Sequence, residues 1–501
     1  MIAGAAYGIA VVTAGTVLLL VKRLCTPSAE ADSSSDGSGG SGGSGGRIVR
    51  RMSFSSSVMA NGVFPPQAKV WKTVINTAMF FDQCPSLDLV VERASTLLRY
   101  DRFRCCLVQE RGRLVLREIA KLDPARDIIR TVQVSSDAEL AQAVDRLCNE
   151  ELVTGDGLPL WGMVRLQNSG GRSALLTRLH HCIGDGIALI GCLNDIFQDE
   201  QGGPLDLSIG RSMSGGSSSR FSLSSLMNFL KSALKVLLLP LTRYDSDLAF
   251  SPRDRARLDM AGQTRLTVRM PTLRLAFVKA LKNKAGVTVN DVMLALTGGM
   301  VRRYCQRLQD PLFAAAAGGS QASARVLMAV AFPRPQEETE DATRAMRNKF
   351  AMVSVGLPLG QGACERLRQC AASTRELKSS PVALLQLMVQ NHVLSCAPEF
   401  LQQKTAHDVF SRHTMVFSNL PGPEQLITFG GHVVTDIQVI FPNLIPQALM
   451  ISYAGGVCFN ISLDPDVVKE HALLPELLLA ECRELAGELG VDAGDADMLC
   501  K

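Results

Sequence analysis

Short apolar runs alternate in this chain with longer stretches in which apolar residues recur every three or four positions. This pattern predicts mixed strands and helices, and therefore an α/β (α+β) fold. The clearest strand is 173–179, an almost wholly apolar run that is typical of a buried strand, and helical spacing follows it at 187–197. Further strands are predicted at 113–119, 326–331, 352–357 and 414–418. Further helices are predicted at 87–98, 139–151, 288–308 and 466–489.

Residues 221–239 form another predicted helix, in which leucines recur at helical spacing around Lys231 and Lys235 until Pro240 ends the run. One interpretation is a core-packing helix that joins two domains. The other is an interfacial helix whose lysines extend along the surface and which presents a binding site to lipid. The Gly/Ser-rich residues 201–220 before it are typical of a flexible linker.

The first twenty residues after the initial methionine, Ile2 to Val21, carry no charge and have the length of a bilayer span. Lys22 and Arg23 follow at once, so the positive side is C-terminal to the span, which predicts a single-pass anchor at 1–27 with a cytosolic body. The endoplasmic reticulum is the expected membrane, with lipid droplets as a second destination. A cleaved signal peptide, a transit peptide or an artefactual start are the alternatives. The Gly/Ser-rich residues 28–60 predict a disordered linker, with the folded body beginning near Pro65.

The length, net charge and cysteine spacing of the chain indicate its domain number and argue against nucleic-acid and metal binding. A chain of 501 residues predicts two large domains, and a net charge of +4 is too close to neutral to indicate a nucleic-acid partner. Fourteen cysteines are scattered without a C-x-x-C pair or zinc spacing, so we expect reduced thiols and no metal site.

Histidine is scarce, with seven in the chain, yet His180 and His181 are adjacent and continue as His-His-x-x-x-Asp-Gly to Asp185 and Gly186. A neutral imidazole can take a proton from a hydroxyl group and return it to a leaving group. The aspartate can hold the local turn, and the glycine allows close approach of backbone or substrate. The strand before the motif and the helix after it place these side chains at the end of a rigid element. The alternative is a turn whose histidines bond to buried backbone groups.

Several ordered landmarks accompany this motif, and together they resemble the wax ester synthase/diacylglycerol acyltransferase family over about residues 60 to 490. Two of them depart from the family pattern, with Arg347 where glycine is usual and Leu420 where valine is usual; Cys182 replaces the usual alanine after the histidines. The landmarks are Pro159-Leu160-Trp161, Asn290-Asp291-Val292, Arg347-Asn348-Lys349-Phe350 and Ser418-Asn419-Leu420-Pro421-Gly422-Pro423.

The resemblance implies two chloramphenicol-acetyltransferase-like domains, 61–205 and 266–490, joined by a linker and connecting helix at 206–265. Acyl-CoA is then a substrate rather than a cofactor, and the acceptor is a long-chain fatty alcohol or diacylglycerol drawn from membrane lipid. No cofactor, metal or nucleic acid is implied, and the oligomeric state stays open. The N-terminal anchor is not general to the family.

The resemblance also implies roles for individual residues. His181 is the general base, His180 supports it, and Asp185 orients the loop through an ion pair with an arginine. Asn290 or a backbone N–H would stabilise the oxyanion. The implied catalytic set is His181, His180, Asp185, Gly186 and Asn290. The implied substrate-binding set is Pro159, Trp161, Ser418 and Asn419.

Each landmark also has a structural interpretation. Trp161 can fill the core, Asp291 can form a capping box with Thr288, and residues 419–423 can be a turn. Cys182 beside the base is a candidate thiol nucleophile.

Two other functions compete with this interpretation. A plant-type alcohol acyltransferase would carry Asp-Phe-Gly-Trp-Gly near its end, and this chain has no such segment. A non-catalytic lipid-binding or tethering protein would not need the intact motif. Wax ester and triacylglycerol synthesis are not distinguished, because both acceptors present a hydroxyl group beside a long apolar chain.

Overall fold

The structure of the chain is a computed structural model. It describes residues 48–50, 52, 54–61, 73–110, 113–205, 223–251, 264–313, 322–332, 334, 336–492 and 500. All of them belong to one unit, Gly46–Lys501. The predicted anchor at 1–27, most of the predicted linker at 28–60, and residues 206–222 lie outside the described residues.

The strands of the described residues form two main sheets and two small ones. Those in the first part of the chain are β1 (Ile48–Arg50), β2 (Val74–Phe81), β3 (Cys105–Glu110), β4 (Arg113–Glu118), β5 (Ile129–Val134), β6 (Trp161–Asn168), β7 (Ser173–His180) and β8 (Gln198–Asp199). Those that follow are β9 (Leu266–Arg269), β10 (Leu273–Arg274), β11 (Arg325–Ala331), β12 (Phe350–Gly356), β13 (Met415–Leu420), β14 (Ile427–Phe429), β15 (His432–Val433), β16 (Asp436–Ile440), β17 (Gln447–Tyr453) and β18 (Gly456–Leu463).

The two main sheets divide between the two halves of the chain, with one exception. The larger sheet has the order β10-β18-β17-β13-β11-β12, with β9 also paired to β18. The five-stranded sheet has the order β16-β2-β7-β6-β5. Its edge strand β16 comes from the second half and runs antiparallel to β2, with Gln438 opposite Ala78. The second half therefore completes the sheet that carries the histidine motif.

Helices cover the outer faces of both sheets. The described helices are α1 (Phe54–Asn61), α2 (Leu87–Leu97), α3 (Asp137–Asn149), α4 (Gly186–Gly191), α5 (Leu223–Leu238), α6 (Leu275–Ala285), α7 (Val289–Arg307), α8 (Gln336–Glu340), α9 (Ala363–Ser379), α10 (Val382–Met388), α11 (Glu399–Ser411) and α12 (Leu474–Leu489). Helix α3 packs its apolar side on one face of the five-stranded sheet. Helices α7, α9 and α12 pack together in the largest core cluster, which includes β17 and β18.

A third core cluster joins the two sheets. Leu175 and Leu179 of β7 belong to it, as do Leu449 and Ile451 of β17. The inner faces of the two sheets therefore meet, and the end of β7 lies where residues from both halves of the chain come together.

The predicted elements agree with the structure where the apolar pattern was long. All eight residues of β7 are buried, since the strand lies between β2 and β6 in the middle of its sheet. The helix predicted at 288–308 is α7, and the expected capping box between Thr288 and Asp291 is present.

Three predictions about element bounds were wrong. The helix after the motif is only α4, followed by a 3-10 turn at Leu193–Asp195. The last helix begins at Leu474 rather than near residue 466, because a turn and a 3-10 turn come first and Pro475 occupies the first helical turn. The folded body does not begin near Pro65: β1 pairs with β4, and Ser56 of α1 is fully buried, so tertiary contacts order this polar stretch.

The predicted connecting helix is present as α5, followed by a 3-10 turn at Leu239–Leu241. Within the described part of the chain, no helix is both long enough and apolar enough to span a membrane. The membrane anchor was predicted from residues 2–21, which are not among the described residues.

Candidate active site

The histidine motif forms the turn between β7 and α4. His180 is the last residue of β7, and the His181 N–H donates to Thr73 O at 2.7 Å. Asp185 is the N-cap of α4, where its Oδ1 accepts from the Ala188 N–H at 3.0 Å. A capping aspartate satisfies a helical N–H that has no partner within the helix. The turn therefore presents the His181 ring from the end of a central strand.

Asn348 determines which nitrogen of His181 carries the proton. The Asn348 amide nitrogen donates to His181 O at 2.8 Å and to Ser56 Oγ at 3.1 Å. A backbone carbonyl only accepts, so Asn348 Oδ1 must be the atom that lies 3.0 Å from His181 Nδ1. An amide oxygen also only accepts, so Nδ1 is the protonated nitrogen. Nε2 is left with its lone pair, as a general base requires.

Burial keeps the His181 ring neutral. Removal from water is the main cause that lowers the pKa of His181 below its usual 6.5, while nearby Asp185 and the Asn348 hydrogen bond act in the opposite direction. The rings of Phe350 and Phe441 lie with their centroids 5.7 Å from the imidazole. A neutral imidazole is the form that accepts a proton.

An ion pair holds the second half of the turn. One Arg334 Nη donates to both carboxylate oxygens of Asp185 at 2.7 Å, and both side chains are over 90% buried. The Lys349 N–H donates to the same carboxylate at 2.8 Å. The arginine partner expected for Asp185 is thus Arg334, and the pair connects the turn to the segment that carries Asn348.

Arg102 supports the turn from behind. Its guanidinium donates to Cys182 O at 2.7 Å, to Ile183 O at 3.2 Å and to Ser56 Oγ at 3.0 Å. Ser56 thus accepts from both Arg102 and Asn348. The roles of Ser56, Arg102 and Arg334 were not predicted from the sequence, in which Asn348 was only a family landmark. Spacing contains no signal for them, since Ser56 and Asn348 are 292 residues apart.

His181 and Gly186 line a cavity of about 220 Å³ whose wall is mostly apolar. Its polar lining includes Ser55, Gln386, Gln390, Gln402, Thr405, Ser418, Asn443 and Gln447. A Cβ atom on Gly186 would lie 2.8 Å from a methyl group of Leu420, which also lines the cavity. A glycine at this position keeps the space beside the histidine open. The cavity has the character of a site for a long apolar chain next to a base.

Several known proteins are similar to this chain in sequence. The family model for the WS/DGAT C-terminal domain matches residues 346–485. Wax ester synthase/diacylglycerol acyltransferase 5 of Arabidopsis thaliana is 23% identical over 437 residues, covering 76% of this chain and 84% of the relative. A probable diacylglycerol O-acyltransferase of Mycobacterium tuberculosis is 25% identical over 339 residues, covering 64% of this chain and 69% of the relative. The chain therefore carries a match to the WS/DGAT C-terminal domain and is similar to wax ester synthase/diacylglycerol acyltransferases over most of its length.

Solved structures share the fold. The wax ester synthase/diacylglycerol acyltransferase from Marinobacter aquaeolei VT8 superposes with a TM-score of 0.54 at 16% identity, covering 87% of this chain and 98% of that one. The first condensation domain of the calcium-dependent antibiotic synthetase has a TM-score of 0.56 at 12% identity, covering 88% and 96%. The expected mixed α/β fold is therefore confirmed, and it is similar to that of a solved wax ester synthase/diacylglycerol acyltransferase and of a condensation domain.

Two of the family landmarks lie away from the cavity beside His181. Trp161 is buried, donates from Nε1 to Phe103 O at 2.9 Å and meets the Phe103 ring edge to face. Trp161 and Pro159 line a separate cavity of about 310 Å³. This placement favours the core-filling interpretation of Trp161.

Asn290 is not brought to His181 either. Its nearest polar contact is Met328 Sδ at 3.9 Å, and Met328 packs on the core cluster that contains α7. Neighbouring Ala329 lines the cavity beside His181. Successive side chains of a strand point to opposite faces, so Asn290 lies across the sheet from the cavity. The expected oxyanion role therefore does not fit Asn290.

The last landmark is divided between two environments. Ser418 lines the cavity, whereas Asn419 is exposed and is not part of its wall. His180 is buried and its Nδ1 accepts from the Cys182 N–H at 3.3 Å, which suits a supporting role. Burial raises the pKa of the Cys182 thiol to about 12, so a thiolate nucleophile at this position is disfavoured.

Proposed function

We propose that His181 catalyses the transfer of a fatty acyl group from acyl-CoA to the hydroxyl group of a long-chain alcohol or of diacylglycerol. Similarity to relatives that bear the names wax ester synthase and diacylglycerol O-acyltransferase supports O-acyl transfer by this chain. The observation that carries the mechanism is the hydrogen bond from His181 Nδ1 to Asn348 Oδ1, which leaves Nε2 as the basic nitrogen.

In the proposed reaction, Nε2 of His181 takes the proton of the acceptor hydroxyl as that oxygen attacks the thioester carbonyl. The tetrahedral intermediate collapses, the C–S bond breaks, and Nε2 returns the proton to the CoA thiolate. A thioester is already activated, so no covalent acyl-enzyme is needed. Asp185 and Arg334 hold the turn in position and do not exchange protons with the substrate.

Ser418 is our candidate for the donor to the oxyanion. The Leu444 N–H donates to Asn443 Oδ1, so the Asn443 amide nitrogen donates to Gln447 Oε1. Gln447 Nε2 then donates to Ser418 Oγ at 3.2 Å. This chain of bonds fills an acceptor position of Ser418 and leaves its hydroxyl proton for a ligand in the cavity.

Ser418→Ala should lower kcat by about 10²- to 10³-fold, the usual cost of removing an oxyanion donor. Ser418→Thr, which keeps a hydroxyl group, should restore much of that loss. Equal losses in both variants would indicate that Ser418 serves packing rather than hydrogen bonding.

The location of the enzyme is part of this proposal. An anchor at residues 2–21, followed by Lys22 and Arg23, would hold the catalytic unit on the cytosolic side of the endoplasmic reticulum or at a lipid droplet. Apolar acceptors reside in such membranes, so an anchored enzyme meets them at high effective concentration.

The first experiment is an assay of the membrane fraction with labelled palmitoyl-CoA, with hexadecanol and diacylglycerol offered separately. Product from hexadecanol alone indicates a wax ester synthase, and product from both indicates a bifunctional enzyme. His181→Ala should lower kcat by about 10²- to 10⁴-fold with either acceptor. His432→Ala, in β15, is the matched control and should keep full activity. Absence of ester from both acceptors with folded protein would refute the proposal.

A further inference from the structure

Helix α5 exposes the side that a helix of a soluble protein normally buries. Ser232 and Val236 face inward and are buried. The outward side chains of α5 and of the 3-10 turn after it are large and apolar, with Leu237 58% exposed and Leu241 70% exposed. The exposed members are Met227, Leu230, Leu234, Leu237, Leu238 and Leu241. Exposed apolar side chains grouped in this way mark an interaction surface.

Neighbouring elements extend this surface. Helix α5 packs against α10, and the 3-10 turn Leu239–Leu241 packs against α11. Eleven of the sixteen large apolar side chains exposed in the described residues lie between 227 and 244 or between 384 and 401. The second group is Leu384, Val393, Phe400 and Leu401. We call these two groups of exposed apolar residues, at 227–244 and 384–401, the leucine face.

The charged residues within the segment that carries the first group are all positive. Between residues 223 and 244 the sequence contains Lys231, Lys235 and Arg243, and it contains no aspartate or glutamate. Lys235 Nζ also lies 2.6 Å from a carboxylate oxygen of Glu376 on α9. Long basic side chains beside exposed leucines are suited to the boundary between acyl chains and anionic headgroups.

The leucine face is close to the catalytic cavity. A cavity of about 540 Å³ lies beneath α5 and is lined by Lys231, Leu234 and Leu238. Met352 and Gln386 line both this cavity and the one beside His181. These two side chains therefore separate the space under α5 from the space beside the base. A chain lying on the leucine face has a short route past them to His181.

We propose that the leucine face docks on a phospholipid membrane that contains anionic lipid, and that the cavity beneath α5 is the portal through which an acceptor lipid reaches His181. This inference rests on the proposed function for its acceptor, but the docking itself does not. A second copy of the chain on this face is the competing outcome, and the experiments below separate it from docking on lipid.

The first test places a tryptophan at the surface. Leu237→Trp and Val153→Trp are compared in vesicles of phosphatidylcholine and phosphatidylserine whose acyl chains carry bromine, a contact quencher of indole fluorescence. Val153 is 63% exposed but lies outside the leucine face. The native tryptophans, Trp71 and Trp161, are present in both variants, so the emission of the wild-type protein is subtracted from each. The added emission should be quenched for Leu237→Trp and retained for Val153→Trp. This comparison depends on position, so an anchor elsewhere in the chain does not produce it.

Two results would overturn the proposal. Equal quenching of both variants would indicate that the protein lies on lipid without a preferred face. An unquenched Leu237→Trp, with emission that shifts to the blue as protein concentration rises without vesicles, would indicate a second copy on this face.

The second test uses activity. Leu237→Asp/Leu241→Asp should lower esterification of vesicle-held diacylglycerol by at least about tenfold, because each buried leucine contributes about that factor to partitioning. Esterification of dissolved octanol should stay at the wild-type rate, and Val153→Asp should match wild type with both acceptors. Equal losses with both acceptors would refute docking. If the wild-type enzyme esterifies neither acceptor while Leu237→Trp is quenched, the proposed function is refuted and docking is left intact.

Discussion

The turn at residues 180–186 and the beginning of α7 each place a buried aspartate at the N-terminus of a helix, but the partners of the two aspartates differ. Asp185 binds Arg334 and the Lys349 N–H, both about 150 residues away or more. Asp291 binds Thr288 within its own capping box and Thr374 of α9. The first aspartate is charge-paired and precedes Gly186, which lines the cavity beside His181, whereas the second accepts from hydroxyl and amide groups inside a core.

The asparagines beside these aspartates differ in the same way. Asn348 bonds to His181 at both ends of its amide, and Asn290 approaches only a methionine sulfur atom on the other side of the sheet. A helix N-terminus with polar residues is therefore not a site by itself. Convergence of distant polar groups on an apolar cavity is what distinguishes the turn at 180–186.

The largest expected difference between the two regions is in stability. Asp185→Asn should destabilise the protein by about 3–5 kcal/mol, because Arg334 would keep a buried charge without its partner. Asp291→Asn should cost about 1 kcal/mol, the usual value of a helix cap. Urea unfolding followed by fluorescence measures both, and equal costs would remove the distinction.

Alanine variants of Asn348 and Asn290 test the same comparison by their effect on activity. Asn348→Ala should lower kcat by about 10- to 100-fold, because a buried hydrogen bond of about 1–3 kcal/mol orients the base. Asn290→Ala should stay within about twofold of wild type. Steady-state kinetics at saturating acyl-CoA measures both variants. A larger loss for Asn290→Ala would restore its role as an oxyanion donor.

Two glycines of α4 give a smaller effect. Gly186→Ala should lower activity several-fold, because the new Cβ meets the Leu420 side chain that borders the cavity and the end of that side chain can move aside. Gly191→Ala has open space and should gain about 0.5–1 kcal/mol of stability with unchanged kcat. Parallel kinetics and thermal melts check this pair, and equal activity would show that the space at Gly186 is not used.

The smallest effect concerns pH. An imidazole acts as a base when it is neutral, and burial lowers the pKa of His181, so this ring remains neutral at a lower pH than a free imidazole. The acid limb of the kcat/KM profile should therefore have its midpoint below pH 6.5. A midpoint above that value would mean that the negative charge of Asp185 outweighs burial.

Local pattern predicted much of the fold. The apolar run at 173–179 gave β7, and the periodicity at 288–308 gave α7 with its cap, because both depend on neighbours within a few residues. The beginning of α12 was misplaced, since periodicity continues into residues that form turns. The order of strands, including β16 beside β2, has no local signal.

The sequence by itself identified His181 as the candidate base, the motif around it and the similarity to wax ester synthase/diacylglycerol acyltransferases, because those depend on residue identities at short spacing. Only the tertiary structure decided that Asn348, rather than Asn290, reaches His181, and that Ser56, Arg102 and Arg334 hold the turn. Hydrogen bonds and ion pairs between distant segments depend on which faces of the sheets meet. The order of residues does not indicate which faces pack together, so these partners become identifiable only in the packed structure.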